Sequence, residues 1–165
     1  MQTEAAIKMR RSVRGFAKKP IAPALIEKLI DAARLAPTAK NVQPWDFVAV
    51  TKKETLTQLG SLADNGKFIA DCACCIAIFC KDTKYYLEDG CAATVNILIA
   101  ATDSGLGGCW VAGDKKPYCD KVKELLGAPQ DSKLVSMIAL GYPQAEARMP
   151  AKRSVKELLH WEKFN

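Results

Sequence analysis

The stretch that most limits how this chain can fold lies between Thr83 and Ser104, the longest helical candidate in the sequence. Within it, Ala92, Ala93, Val95, Asn96, Ile97, Leu98, Ile99, Ala100 and Ala101 leave almost no polar face. A helix that is apolar all round is stable only where it is buried on every side. A chain of 165 residues forms one core, and the sequence predicts that a second subunit supplies the cover this core lacks. Gly105 follows, where a left-handed residue ends a helix.

The rest of the chain alternates between helical and extended patterns. Thr3 is placed to cap a short helix running to about Arg11, with Glu4 near its positive end. Gly15 to Pro20 interrupts it, and Pro23 suits the first turn of a second helix. Leu25, Leu29, Ile30 and Ala33 mark that helix's apolar face, and it ends before Pro37. Trp45 to Thr51 reads as a buried strand, Lys53 to Ala63 as an amphipathic helix, and Asn65-Gly66 as a turn. Cys74 to Cys80, Gly107 to Ala112 and Leu134 to Leu140 read as further strands. A helix from about Pro117 to Leu126 ends at Gly127, and Ser154-Val-Lys-Glu157 has the form of a capping box that opens a last helix. Strands separated by helices, with no repeat or linker, predict one α+β domain over residues 1–165, a three-layer α/β/α sandwich.

Several function classes fit poorly. The longest apolar run falls short of a membrane span, and the N-terminus lacks an apolar signal core, so a cytoplasmic protein is expected. Seven cysteines, an odd number between positions 72 and 119 and mostly within apolar runs, suit a reducing cytosol. Cys72-Ala-Cys-Cys75 has no matched second pair, and strand alternation sends Cys74 and Cys75 to opposite faces, so core thiols and no metal site are expected. His160 is the only histidine, expected to pack or face solvent on a helix. No Gly-x-Ser-x-Gly turn, dinucleotide fingerprint or P-loop is present. The net charge of +6 favours anionic partners, either nucleic acid or phosphorylated cofactors.

Two polar stretches stand out. Arg10, Arg11, Ser12 and Arg14 put three guanidiniums and a hydroxyl within five residues, a donor set suited to phosphate. From Ala36 to Phe47, two prolines bracket Thr38, Asn41 and Gln43 in a rigid turn between apolar segments, where hydrogen-bonding groups are presented at small ordering cost. Gly105-Leu-Gly-Gly108 offers bare backbone, either for close approach to a flat ring or for helix capping and a tight turn. Lys152 and Arg153, with Arg148 before them, form a second basic group.

In this order, Arg10 to Arg14, Pro37 to Trp45, Gly105-Leu-Gly-Gly-Cys-Trp110 and Ala139-Leu-Gly-Tyr-Pro143 with Lys152 and Arg153 resemble the nitroreductase family of FMN-dependent enzymes over nearly the whole chain. The resemblance implies a nitroreductase-like fold with a mixed, largely antiparallel central sheet, and a homodimer with FMN at the subunit interface. It implies that Arg10, Arg11, Lys152 and Arg153 anchor the phosphate, that Ser12 bonds the phosphate or ribityl chain, and that Arg14 faces the pyrimidine edge as the catalytic charge. Pro37, Thr38, Ala39, Asn41 and Gln43 would close the site from the second subunit, Asn65 and Lys67 would touch the pyrimidine edge, and Gly107 and Gly108 would approach the ring. NAD(P)H would donate electrons to FMN, and a small aromatic, nitro or quinone-type acceptor would take them in alternation. The family's double serine is Thr38-Ala39 here, and few residues separate Cys80 from the long helix, so a more open pocket is expected. Two alternatives stand beside this reading. One is a same-fold flavin enzyme of reductive dehalogenation or flavin degradation. The other is a basic nucleic-acid-binding module, which lacks the interleaved aromatics that base stacking uses.

Overall fold

Four extended segments pair into one sheet in a computed structural model that describes residues 2–164. They are β1 (Trp45–Val50), β2 (Cys74–Lys81), β3 (Gly107–Ala112) and β4 (Ser132–Gly141), in the spatial order β1-β2-β4-β3. Every neighbouring pair is antiparallel, with Trp45 opposite Cys80, Cys75 opposite Ala139 and Cys109 opposite Ala139 on the other side. Among the described residues, the parallel pairing implied by a mixed sheet is confined to one isolated bridge, Ser12 to Gly108. The two central strands have almost no polar residue facing either side. From Cys74 to Cys80, β2 is buried throughout, as a strand covered on both faces must be.

Strand alternation divides the core in two. Cys75, Ala77, Phe79, Met137 and Ala139 point to one face, covered by Leu56 and Leu59 of α3 (Lys53–Leu62) and Val122 of α5 (Cys119–Leu126). Cys74, Ile76, Ile78, Ile138 and Leu140 point to the other, covered by Leu29 and Ala33 of α2 (Pro23–Arg34) and Ala93, Ile97 and Ala101 of α4 (Tyr86–Asp103). The result is the expected α/β/α sandwich. A buried hydroxyl pair, Thr94 with Ser136 at 2.7 Å, ties α4 to β4. Gly105 (φ 75°) and Gly127 (φ 66°) follow the ends of α4 and α5 in the left-handed region.

Three expectations change. Thr3 caps nothing: α1 (Thr3–Met9) has Gln2 at its N-cap and no side-chain cap bond. The Ser154–Glu157 capping box does form, with the Ser154 amide 2.6 Å and its hydroxyl 2.8 Å from the Glu157 carboxylate. Only a single 3₁₀ turn, Val155–Glu157, follows. A cap satisfies helix ends, but the bulk of helix stability comes from packing an apolar face, and Val155, Leu158, Leu159 and Trp161 are all exposed here. His160 is accordingly not helical, and its ring stacks on Phe164 at 4.0 Å. The third change concerns α4. Ile97 is fully buried within the protomer, and the Asn96 side chain donates to the Ala32 carbonyl of α2 at 3.0 Å. The stripe left for a partner is narrow: exposed Val95, with half-buried Ala92 and Ile99.

The cysteines behave as core groups. All seven are free, and Cys74 and Cys75 occupy opposite clusters. Burial pushes the Cys72 thiol up to about 11, those of Cys74 and Cys80 to about 12, and that of Cys75 up as well. The folded state accepts these groups only as neutral thiols, whereas the unfolded chain ionises them near 9.0. Their contribution to stability is complete below pH 9.0 and is lost as the pH climbs towards 12. Urea unfolding midpoints should therefore fall steeply above pH 9.0. The decline should be shallower in a Cys72→Ala, Cys74→Ala, Cys80→Ala variant, and equal slopes for the two proteins would contradict this assignment.

Candidate functional site

The chain leaving α1 lies along β3, the free edge of the sheet. Ser12 bridges Gly108, and the Val13 amide donates to the Gly108 carbonyl at 3.1 Å. Val13 turns inward and is buried, while Ser12 and Arg14 on either side are exposed. A Cβ on Gly107 would lie 2.7 Å from Val13, and one on Gly108 would lie 2.8 Å from Leu98 of α4. Both glycines therefore make room for the chain's own side chains. This packing accounts for their bareness.

Laid down in this way, the segment gathers cations at one strand. Burial pushes the Cys109 thiol up, opposed by Arg14, by a hydrogen bond with Ser12 and by Arg10. Ser12, paired with Gly108, and Arg14, in one cavity wall with Cys109, thus lie beside the same stretch of β3. Arg14 also lines a cavity of about 160 Å³ with Asn65, Phe68, Cys109, Trp110 and Tyr118. Its guanidinium sits 5.7 Å from the Phe68 ring centroid, a cation–π contact that fixes the charge at the cavity wall. The Tyr118 hydroxyl donates to the Ala112 carbonyl on the same strand. Arg14 and Asn65, 51 residues apart in sequence, thereby line one cavity. Lys67 is exposed, and Phe68 occupies the cavity wall.

Arg11 points elsewhere. Its Nη1 donates to the carbonyls of Lys8 and Arg10, both at 2.7 Å. It lines a separate groove of about 530 Å³ with Arg148, Gly105 and Gly107. Lys152 and Arg153 are exposed and do not line that groove, and an Arg153 Nη2 donates to the Glu157 carbonyl at 2.7 Å.

The loop from Pro37 to Gln43 is held by a residue that sequence reasoning missed. Asp89, in the first turn of α4, is only 5% exposed. Its Oδ2 accepts the Thr38 hydroxyl at 2.9 Å and its Oδ1 the Ala39 amide at 3.2 Å. The Thr38 hydroxyl oxygen in turn accepts the Gln43 amide at 3.1 Å. Between these anchors Lys40, Asn41 and Gln43 take φ of 53°, 56° and 51°, a conformation costing on the order of 1–3 kcal/mol each for residues other than glycine. The Gln43 side-chain amide donates to Asn41 Oδ1 at 3.2 Å, and both side chains are exposed.

The loop and the cationic segment do not meet in one chain. Asp89 holds the loop at the start of α4, whereas Arg11 and Val13 share their groove with Thr102 and Gly105 at its end. At 1.5 Å per residue the two ends lie roughly 20 Å apart. Cys109 was also missed, although its signal was present: on a strand, residue 109 shares a face with Gly107. Asp89 carried no such signal, because its partners lie 50 and 51 positions away. Among the described residues, no group of three or more His, Cys, Asp or Glu side chains is arranged to hold a metal ion. Among them too, no helix is long and apolar enough to cross a membrane.

Two family models, curated relatives and solved structures match this chain. The model of the family described as "Nitroreductase family" matches residues 7–72, and that described as "Putative TM nitroreductase" matches residues 65–165. A curated relative from Archaeoglobus fulgidus, named "Putative NADH dehydrogenase/NAD(P)H nitroreductase", is 34% identical over 145 residues, covering 83% of each chain. A crystal structure of a protein with that same name from Bacteroides thetaiotaomicron superposes with a TM-score of 0.91 at 28% identity, covering 98% of both chains. An "FMN-dependent Nitroreductase" from Clostridium difficile superposes with a TM-score of 0.90 at 26% identity, covering 96% of this chain and 98% of that one.

Proposed function

The chain belongs to the nitroreductase family, and from that premise we propose that it binds FMN and passes electrons from NAD(P)H to a small aromatic, nitro or quinone-type acceptor. The observation that carries the proposal is the placement of Ser12 and Arg14 along β3, with Arg14, Asn65 and Cys109 in the wall of one cavity. The donor chemistry fits the cofactor. Arg10 and Ser12 supply a cation and a hydroxyl for a phosphate or ribityl chain, and Asn65 supplies an amide for a pyrimidine edge. The FMN named for the Clostridium difficile relative supports the same reading.

FMN bound at this edge would supply the two-electron chemistry. The protein's part is binding, orientation and charge. Arg14, held over Phe68, would present a guanidinium to the pyrimidine edge of bound FMN and stabilise the negative charge of the reduced form. A preorganised charge of this kind needs no rearrangement as the reaction proceeds. Donor and acceptor would take turns at the flavin beside Arg14. Arg11 is engaged with its own helix, so Arg10 carries the larger share of phosphate binding.

The active form is a homodimer. Exposed Ile7 and Met9 on α1, Val95 on α4, and Met149, Trp161 and Phe164 in the C-terminal segment form apolar surface for which a second copy is the natural cover. In that assembly the 37–43 loop of each protomer completes the cationic site of the other. The free thiols suit the cytoplasm, where cysteines are kept reduced.

Purified protein should be yellow and should oxidise NAD(P)H in the presence of a nitroaromatic or a quinone. A charge-assisted contact is worth about 1.5–3 kcal/mol, so Arg10→Ala should weaken FMN binding by roughly ten- to a hundred-fold. Arg14→Ala, saturated with FMN, should have a lower flavin reduction potential and a slower reductive half-reaction. Unchanged affinity in the first variant or an unchanged potential in the second would remove that residue from its role.

A further inference from the structure

We propose that Asp89 is the positioning residue of the 38–43 loop, holding it in the form that the composite flavin site uses. The inference rests on the FMN-dependent reading and adds to it the group that sets the geometry of the loop half.

Asp89 works through an ordered relay. A carboxylate accepts hydrogen bonds and donates none, so the Thr38 hydroxyl hydrogen is committed to Asp89 Oδ2. This turns the lone pairs of the Thr38 oxygen towards the Gln43 amide, which donates to it. The second carboxylate oxygen takes the Ala39 amide. One buried side chain thus fixes both ends of the turn that contains Lys40, Asn41 and Gln43. Burying a carboxylate opposes folding unless its acceptor sites are used, and here each oxygen has a donor. The first turn of α4 adds the positive end of a helix dipole, which favours a carboxylate at that place.

The relay sets what the loop displays. Lys40, Asn41 and Gln43 sit at positive φ, and Asn41 and Gln43 stay exposed with their side chains bonded to each other. A connection that only joined α2 to β1 would have no use for polar groups presented in this strained form. A loop that offers them to a ligand on a second copy does. Thr38 both donates and accepts, and position 39, an alanine, contributes its backbone amide.

The test compares Asp89→Asn, Thr38→Val and Thr38→Ser in the full chain, using FMN titration and amide hydrogen exchange. Asp89→Asn keeps the shape but replaces one acceptor by a donor, and Thr38→Val removes the hydroxyl. In both, exchange at the Gln43 amide should accelerate by about ten-fold or more and FMN affinity should fall by roughly ten-fold, the scale of one lost buried hydrogen bond. Protection in β2 should be unchanged, and Thr38→Ser should restore wild-type behaviour in both measurements. Wild-type FMN affinity in Asp89→Asn and Thr38→Val would overturn the proposal. So would an equal loss of protection in β2, which marks a general fold residue. If Asp89→Asn does not fold, Thr38→Val decides the matter. Wild-type protein that binds no FMN would sink the flavin reading instead, and slow Gln43 exchange made fast in Thr38→Val would still establish the relay.

Discussion

A hydrogen bond from the Val13 amide to the Gly108 carbonyl lays the N-terminal segment on the free edge of the sheet, and the candidate site follows from it. Extended backbone alternates its side chains. Once Val13 is turned into the space above Gly107, Ser12 and Arg14 must turn out. Their placement beside Cys109 is thus a consequence of the apolar packing of their neighbour. The same pairing covers an exposed strand edge, which would otherwise present unpaired backbone groups to other chains.

The second constraint is the length of α4. It separates the two polar groups of the chain, with Asp89 and the Pro37–Gln43 loop at its start and the groove of Arg11 and Val13 at its end. In the proposed function each group is one half of a ligand site. The cationic edge offers the Arg14 guanidinium beside the Asn65 amide, and the loop offers exposed Asn41 and Gln43 amides that are bonded to each other. Two copies related by a twofold axis resolve this in the simplest way, because an isologous interface brings each half against the other twice. The apolar side chains on α1, α4 and the C-terminal segment are the surface along which that contact forms in the proposed dimer.

Much of the fold was legible because its signals are local. The four strands announced themselves as short apolar runs bounded by breakers, and Pro23, Gly105 and Gly127 marked helix ends by their own backbone preferences. The misreadings arose where tertiary contacts decide. Asn96 and Ile97 looked available to a partner until α2 and the sheet were in place. The Ser154–Glu157 box promised a helix that no packing surface sustains. At the candidate site, Arg10, Ser12, Arg14 and Asn65 were named through family resemblance, and two of them, Arg14 and Asn65, line one cavity. Asp89 was invisible, because an acidic residue in a helix's first turn is commonplace and its bond to Thr38 spans 51 positions.

Mixed dimers measure the composite nature of the site most directly. One protomer carries Arg10→Ala and Arg14→Ala, the other Thr38→Val and Gln43→Ala, each with its own affinity tag, so that heterodimers are isolated after co-expression. Each parent homodimer has two damaged sites. In the heterodimer, one site receives both damaged halves and the other receives both intact halves. A composite site therefore predicts one tightly bound FMN per mixed dimer and reduction activity well above either parent. Mixed dimers whose flavin content and activity equal the average of the two parents would contradict it, and would assign the whole site to a single chain.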